Sequence, residues 1–316
     1  MNQLHKFIFD GLPVRGMLVR LDEGWREVLQ RRAASGEWPQ PVRETLGEMA
    51  AAATLMQANL KFNGALVLQV QGDGPVKLAV AESLSDLRFR VTAKVTGEVA
   101  PDARFGDLVN RHGHGRCAIT LDPQDRQPGQ QPYQGVVPLN LETGESVGDV
   151  ATMLEHYMRQ SEQLETRIVL AANEEAACGL LIQRLPGEGV NNLEGAQRAE
   201  VDDEAFTRIA HLAATLRRDE LLTLDAETIL RRLFWEEPLR LFEPLHPRFS
   251  CSCSADRVRN MLRNLGREEA ESILAERGDI EIACEFCGAK YTFDAVDVGQ
   301  MFAPTTDQPG ASGNVH

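Results

Sequence analysis

The sequence predicts an α+β fold with a large N-terminal domain of mixed sheet and helix, a helical linker and a small C-terminal α+β metal-binding domain. Three observations carry this. Strand-like runs alternate with helices without a regular βαβ rhythm, which argues against a doubly wound sheet. A breaker cluster after Leu185 gives way to a charge-laced helical run, and four of the six cysteines fall in the last quarter of the chain. With 316 residues, 43% hydrophobic and 25% charged, collagen-like, coiled-coil and globally disordered chains are excluded.

From the N-terminus, Lys6 to Asp10 and Val14 to Leu21 read as strands joined by the hairpin residues Gly11-Leu12-Pro13. Between Pro41 and Leu60 the residues Leu46, Met49, Ala53, Met56 and Leu60 share one helical stripe, the pattern of a core helix. Gly64 to Gln71 and Val76 to Val80 flank the turn Gly72-Asp73-Gly74-Pro75. From Leu87 to Val95 apolar residues alternate with Arg88, Arg90, Thr92 and Lys94, a period of two that predicts one buried face and one wet basic face. Ser146 is the expected cap of a helix carrying Val147, Val150, Leu154 and Tyr157. Arg167 to Leu170 and Gly179 to Gln183 return to strand character.

Pro186-Gly187-Glu188-Gly189 and Asn191-Asn192 mark a boundary. Asp202 to Trp235 is then helical, with Phe206, Ile209, Ala210, Ala213 and Leu216 on one face that needs a partner surface. It could bridge onto the first domain or detach from it. Pro238, Pro244 and Pro247 close the segment. The expected divisions are a core domain over 1–185, a linker over 186–247, a metal-binding domain over 248–303 and a disordered tail over 304–316.

Cys251-Ser252-Cys253 and Cys284-Glu285-Phe286-Cys287 are separated by thirty intervening residues. The two-residue spacing of the second pair lets both sulfurs converge on one ion, with Gly288 easing the turn. Two thiolate pairs can supply a closed four-sulfur zinc site with no open position for hydrolysis. Iron–sulfur ligation and a metal-free redox dithiol remain open at this point. Between the pairs, Val258, Met261, Leu262 and Leu265 mark one helix ended by Gly266, and Ile273 and Leu274 a second that stops at Gly278-Asp279. A strand from Ile280 to Ala283, the cysteine knuckle, and Tyr291 and Phe293 on alternate positions complete the unit.

So small a core is marginal, and zinc binding worth roughly 10–16 kcal/mol would hold it folded. Four thiolates on one zinc carry a formal charge of about −2, which Arg257, Arg259 and Lys290 are near enough in sequence to help offset, although an ordinary surface charge is the commoner role for any single one of them. Each disulfide formed would remove two ligands, so the fold of this unit depends on its redox state. The one-residue spacing of Cys251 and Cys253 departs from ordinary zinc ribbons, and a disulfide across so short a loop would be strained and readily reduced. Cys117 and Cys178 sit singly in or beside apolar strands and read as buried, inert thiols.

Other classes fit less well. Lys+Arg 33 against Asp+Glu 47 gives a net charge of −14. From Cys251 onward six basic residues face eleven acidic ones, so a zinc-ribbon grip on nucleic acid is disfavoured. A thiol–disulfide oxidoreductase needs a helix starting at the first cysteine of its pair, whereas Cys284 follows a strand. No nucleotide-binding loop is present, and His112 and His114 read as a solvated loop. Met1 to Arg20 is too charged for a signal peptide and no run suits a membrane span, so the expected location is the cytoplasm, where paired cysteines point to metal or redox chemistry.

The stretch Phe249 to Ser254, the helical Ser272-Ile273-Leu274-Ala275-Glu276, and Cys284-Glu285-Phe286-Cys287-Gly288 with Tyr291-Thr292-Phe293-Asp294 resemble the redox-switch domain of the heat shock protein 33 family, the redox-regulated bacterial chaperones. Upstream, Arg15-Gly16, Leu46 to Leu60 with Lys61-Phe62-Asn63-Gly64, Leu68 to Pro75, Tyr157 to Arg167 and Gln183-Arg184-Leu185-Pro186 also fit that pattern. The resemblance spans nearly the whole chain. It implies a non-enzymatic, ATP-independent holdase, inactive when reduced and zinc-bound. Oxidation would pair Cys251 with Cys253 and Cys284 with Cys287, release zinc and unfold the linker. Unfolded client proteins are the implied partners, with homodimerisation on oxidation and no nucleic acid or membrane. Cys178 stands where the family pattern leads one to expect Gly, and the strand Leu87 to Val95 and the tail beyond Asp307 are also departures.

Overall fold

The computed structural model describes residues 1–126, 129–141, 143–185 and 193–303, the side chains of 193–202 excepted. The expected boundary at 186–192 and the tail from Pro304 lie outside these residues. The fold is α+β, and contacts divide the chain into one unit from Met1 to Cys251 and a second from Ser252 on.

In the first unit, β1 (Gln3–Phe9) and β2 (Val14–Leu21) form the anticipated hairpin. Two helices follow, α1 (Glu23–Ala33) and α2 (Gln40–Asn59), then the meander β3 (Gly64–Gln71), β4 (Val76–Leu84) and β5 (Arg88–Val95). Next come α3 (Phe105–Val109), β6 (Arg116–Pro123), β7 (Tyr133–Pro138), α4 (Val150–Gln160), β8 (Thr166–Ala172) and β9 (Ala177–Arg184). The helices α5 (Leu193–Ala214), α6 (Arg218–Thr223) and α7 (Ala226–Phe234) lead to the short strands β10 (Leu239–Leu241) and β11 (Arg248–Phe249).

These strands make two sheets, ordered β10-β1-β2-β9-β8 and β11-β5-β4-β3-β6-β7. All pairs are antiparallel except β11 with β5. Helix α2 touches strands of both sheets. It is buried well beyond the expected stripe: Ala50, Ala51, Ala52 and Ala53 are all inaccessible, while Leu60 lies past its end and is 38% exposed. A run of small residues lets the helix be enclosed on several sides, where a one-sided stripe assumes a wet face. The turn between β3 and β4 uses Gly72 and Gly74 because a Cβ there would lie 2.1 Å from the Val76 carbonyl and 2.4 Å from that of Leu108. The Asp73 carboxylate accepts from the backbone N–H groups of His112 and His114, so the loop carrying the two histidines is tied to this turn.

Two details differ from the sequence expectation. The cap of α4 is Asp149, whose carboxylate accepts from the Thr152 N–H at 2.6 Å, and not Ser146, whose hydroxyl accepts from Asn110. Asp149 directly precedes the first helical turn, where its oxygen reaches an unsatisfied N–H. The basic face of β5 is not uniformly wet: Arg90 is only 20% exposed and pairs with Glu82 of β4 at 2.6 Å.

Phe206, Ile209, Ala210, Ala213 and Leu216 are all buried, in one cluster with Phe7, Phe9 and Phe234. The helical run between Asp202 and Trp235 breaks into three helices, with α6 and α7 begun at Arg217 and Asp225. Arg218 anchors this packing to α2, pairing with Glu44 at 2.8 Å and Glu48 at 3.5 Å and donating to the Ala172 carbonyl.

The second unit comprises α8 (Ala255–Leu265), α9 (Arg267–Arg277), the hairpin β12 (Ile280–Ala283) and β13 (Lys290–Phe293), and α10 (Ala295–Met301). Gly266 and Gly278, at φ of 101° and 84°, end α8 and α9 as expected. Its core is Leu262, Ala270, Ile280, Phe293, Val298 and Met301. Met261 and Leu265 are each half exposed, so only part of the anticipated stripe of α8 is covered.

Candidate metal centre

The cysteines are delivered by two short pieces of backbone. Strand β11 pairs with β5 in the register Phe249↔Phe89, and the Ser250 N–H donates to the Phe89 carbonyl at 3.1 Å. Phe249 packs edge-on against Phe89, with the Arg31 guanidinium over its ring. Cys251 follows at once. Ser254, just after Cys253, caps α8 by accepting from the Arg257 N–H.

Cys284 and Cys287 sit on the knuckle between β12 and β13. The Gly288 N–H donates to the Cys284 carbonyl and the Cys284 N–H to the Ala289 carbonyl, both at 2.8 Å. Gly288 adopts φ 69°, which a side chain would oppose. The knuckle leads into a strand and not a helix, so Cys284 lacks the helix N-terminus that activates redox dithiols.

The four sulfurs of Cys251, Cys253, Cys284 and Cys287 all lie within 4.8 Å of one another, and those of Cys253 and Cys287 are 3.3 Å apart. Zinc–sulfur bonds of about 2.3 Å in a tetrahedron separate sulfurs by about 3.8 Å. The cluster therefore fits a thiolate zinc site, with Cys287 buried and the other three half-buried.

Two side chains that sequence reasoning missed address this cluster. The Tyr291 hydroxyl on β13 donates to Cys253 Sγ at 3.1 Å. Its phenol is pushed up to about 12, first by that hydrogen bond, then by burial and the neighbouring sulfurs. The Arg90 side chain hydrogen-bonds Cys251; burial works against its charge, but Glu82 and Cys251 together raise its pKa above the usual guanidinium value. The three cations near in sequence turn elsewhere. Arg257 donates to the Ser252 hydroxyl at 2.6 Å, Arg259 pairs with Asp256 and lies over Phe293, and Lys290 pairs with Glu281 at 3.0 Å.

The other two thiols are apart from the cluster in the sheets. Cys117 on β6 is fully buried, which pushes its thiol up to about 12. Cys178 on β9 is pushed up to about 11 by burial, partly offset by Arg20, whose Nη1 lies 3.7 Å from its sulfur. Both are poor nucleophiles at neutral pH.

Comparison with known proteins adds a family and a fold. A family model described as Hsp33 protein matches residues 2–294. A protein named 33 kDa chaperonin from Methylobacillus flagellatus is 44% identical over 310 residues, covering 98% of this chain and 97% of its own. Another of that name from Chromobacterium violaceum is 46% identical over 301 residues, covering 95% and 94%. The crystal structure of a 33 kDa chaperonin (heat shock protein 33 homolog) from Thermotoga maritima superposes with a TM-score of 0.75 at 21% identity, over 95% of this chain and 98% of that one. Among the described residues no helix is long and apolar enough to cross a membrane.

Proposed function

Because the chain belongs to the Hsp33 family of chaperones, we propose that it is a redox-regulated, ATP-independent holdase of the cytoplasm, switched by its four clustered cysteines. The observation that carries this reading is the convergence of Cys251, Cys253, Cys284 and Cys287 within 4.8 Å. These residues would hold one zinc ion, which when bound supplies a closed four-thiolate cross-link for a core of six buried residues. The division that suits this role is a chaperone core over 1–185, a metastable helical linker over 186–247 and a switch domain over 248–303.

Oxidation joins Cys251 to Cys253 and Cys284 to Cys287, and each disulfide withdraws two ligands. The small domain is then left with a core too slight to persist alone. The loss reaches β11 through Cys251, and the linker helices come away from the Phe7 and Phe9 face. Their stripe of Phe206, Ile209, Ala210, Ala213 and Leu216, with the sheet face it covered, becomes surface for unfolding client proteins. Apolar surface of this kind also favours pairing of two oxidised chains. The chemistry is confined to the chain's own sulfurs, with no substrate turned over.

The test is oxidation of the reduced, zinc-loaded protein with peroxide under mild unfolding stress. The expected result is release of one zinc per chain, loss of four titratable thiols and the appearance of aggregation suppression toward a heat-unfolding client. An oxidised, zinc-free preparation that leaves client aggregation unchanged sinks the proposal.

A further inference from the structure

Resting on the four-thiolate reading above, we propose that Tyr291 and Arg90 are positioning residues for the close-spaced pair, each donating to one sulfur and so restraining the reaction of that pair with oxidant. The donors come from separate elements. Tyr291 lies 38 residues from Cys253 and reaches it at 3.1 Å. Its place is fixed by pairing with Ile282 across the hairpin and by packing against the core that includes Phe293 and Ile280.

Arg90 is fixed equally well. It stands directly opposite Glu82 in the β4–β5 register, and the pair closes at 2.6 Å with side chains 20% and 16% exposed. The pairing of Phe249 with Phe89 leaves Cys251 two residues past the paired position, where Arg90, one residue past Phe89, hydrogen-bonds it. An unpaired half-buried guanidinium would be costly, so the Glu82 and Cys251 acceptors explain why this one is tolerated at a largely covered position of β5.

A thiolate that accepts a hydrogen bond has part of its charge neutralised and a lone pair engaged. Four such thiolates around one divalent ion leave a net charge of about −2, which donors of this kind stabilise. They also weaken the sulfur as a nucleophile. With hydrogen peroxide as oxidant, the Cys253 thiolate forms an S–O bond as the O–O bond breaks, giving a sulfenic acid and hydroxide. The Cys251 thiolate then displaces a second hydroxide as the S–S bond forms. Two electrons pass from the sulfurs to peroxide, and two protons from solvent convert both hydroxides to water. Neither sulfur remains an ionised acceptor once it is in the disulfide, so both hydrogen bonds favour the reduced state.

The experiment uses the full chain with zinc or cobalt(II) bound, and Tyr291→Phe, which keeps the ring and its packing. The expected result is a zinc affinity lower by about 10–100-fold in chelator competition. The sulfur-to-cobalt charge-transfer band is expected at longer wavelength, and mass spectrometry should show faster peroxide oxidation of the Cys251 and Cys253 pair. Arg90→Leu should speed the same pair, and Arg90→Lys, which keeps the charge, should restore part of the protection. If Tyr291→Phe and Arg90→Leu both match wild type in cobalt spectrum and oxidation rate, the proposal is overturned while the four-thiolate reading stands. A wild-type protein without a four-thiolate cobalt spectrum overturns both.

Discussion

Glu48 shows how one largely covered carboxyl makes stability depend on pH. Burial pushes its carboxyl up to about 8; Arg218 opposes that shift, and Asp149 and Glu44 add to it. A carboxyl whose folded pKa exceeds its unfolded value holds more protons when folded, so stability falls as pH rises from about 4.5 to about 8. We expect Glu48→Gln to remove that slope, gaining more than ~1 kcal/mol on wild type at pH 9 and little below pH 4.5, as read by urea denaturation across pH. The same scale explains what escaped sequence reading at the cysteine cluster. Cys251, Cys253, Cys284 and Cys287 announce themselves by spacing. Arg90 and Tyr291 do not, because what brings them to the sulfurs is the β11–β5 pairing and the β12–β13 register. Local proximity in sequence is a weaker guide: Arg257 donates to the Ser252 hydroxyl, and Arg259 and Lys290 pair with Asp256 and Glu281, the ordinary surface role of such cations.

Among the elements, helices α5 to α7 are held by a buried apolar cluster. Ile209 is wholly buried in the cluster with Phe7, Phe9 and Phe234. Removing its side chain to the Cβ should cost about 2–5 kcal/mol. Ile209→Ala is therefore expected to raise hydrogen exchange in α5 and α7 first, and to lower the peroxide dose at which client aggregation is suppressed. Exchange that rises evenly over both sheets instead would show that these helices do not open separately. Elements with a strong period were legible in the sequence: the first hairpin, the meander through β5, and α8 with its glycine stop. Helix α1 was not, because Gly24, Trp25 and Val28 are its only buried residues and most of the others are charged. The start of α4 was misplaced because Ser146 and Asp149 are both competent caps, and the choice between them rests on Asn110 engaging the serine.

At the scale of the molecule, the two units rest on different sources of stability. The first has two sheets of five and six strands enclosing α2. The second has six buried core residues and three of the four clustered sulfurs, the fourth being that of Cys251 at the end of the first unit. Chelation of zinc from the reduced protein with a strong competitor is expected to abolish protease resistance from Ser252 onward while the β-rich first unit persists. The check is limited proteolysis with mass mapping, and equal loss of both units would refute the asymmetry. The five-stranded sheet also sets a timetable for synthesis. Its strand β1 bonds on one side to β2 and on the other to β10, in the register Phe7↔Leu241. At 5–20 residues per second the ribosome needs roughly 10–50 s to make the intervening chain. Throughout that interval the outer edge of β1 is an open template for any passing strand, and the newborn chain has the very vulnerability that a holdase exists to cover.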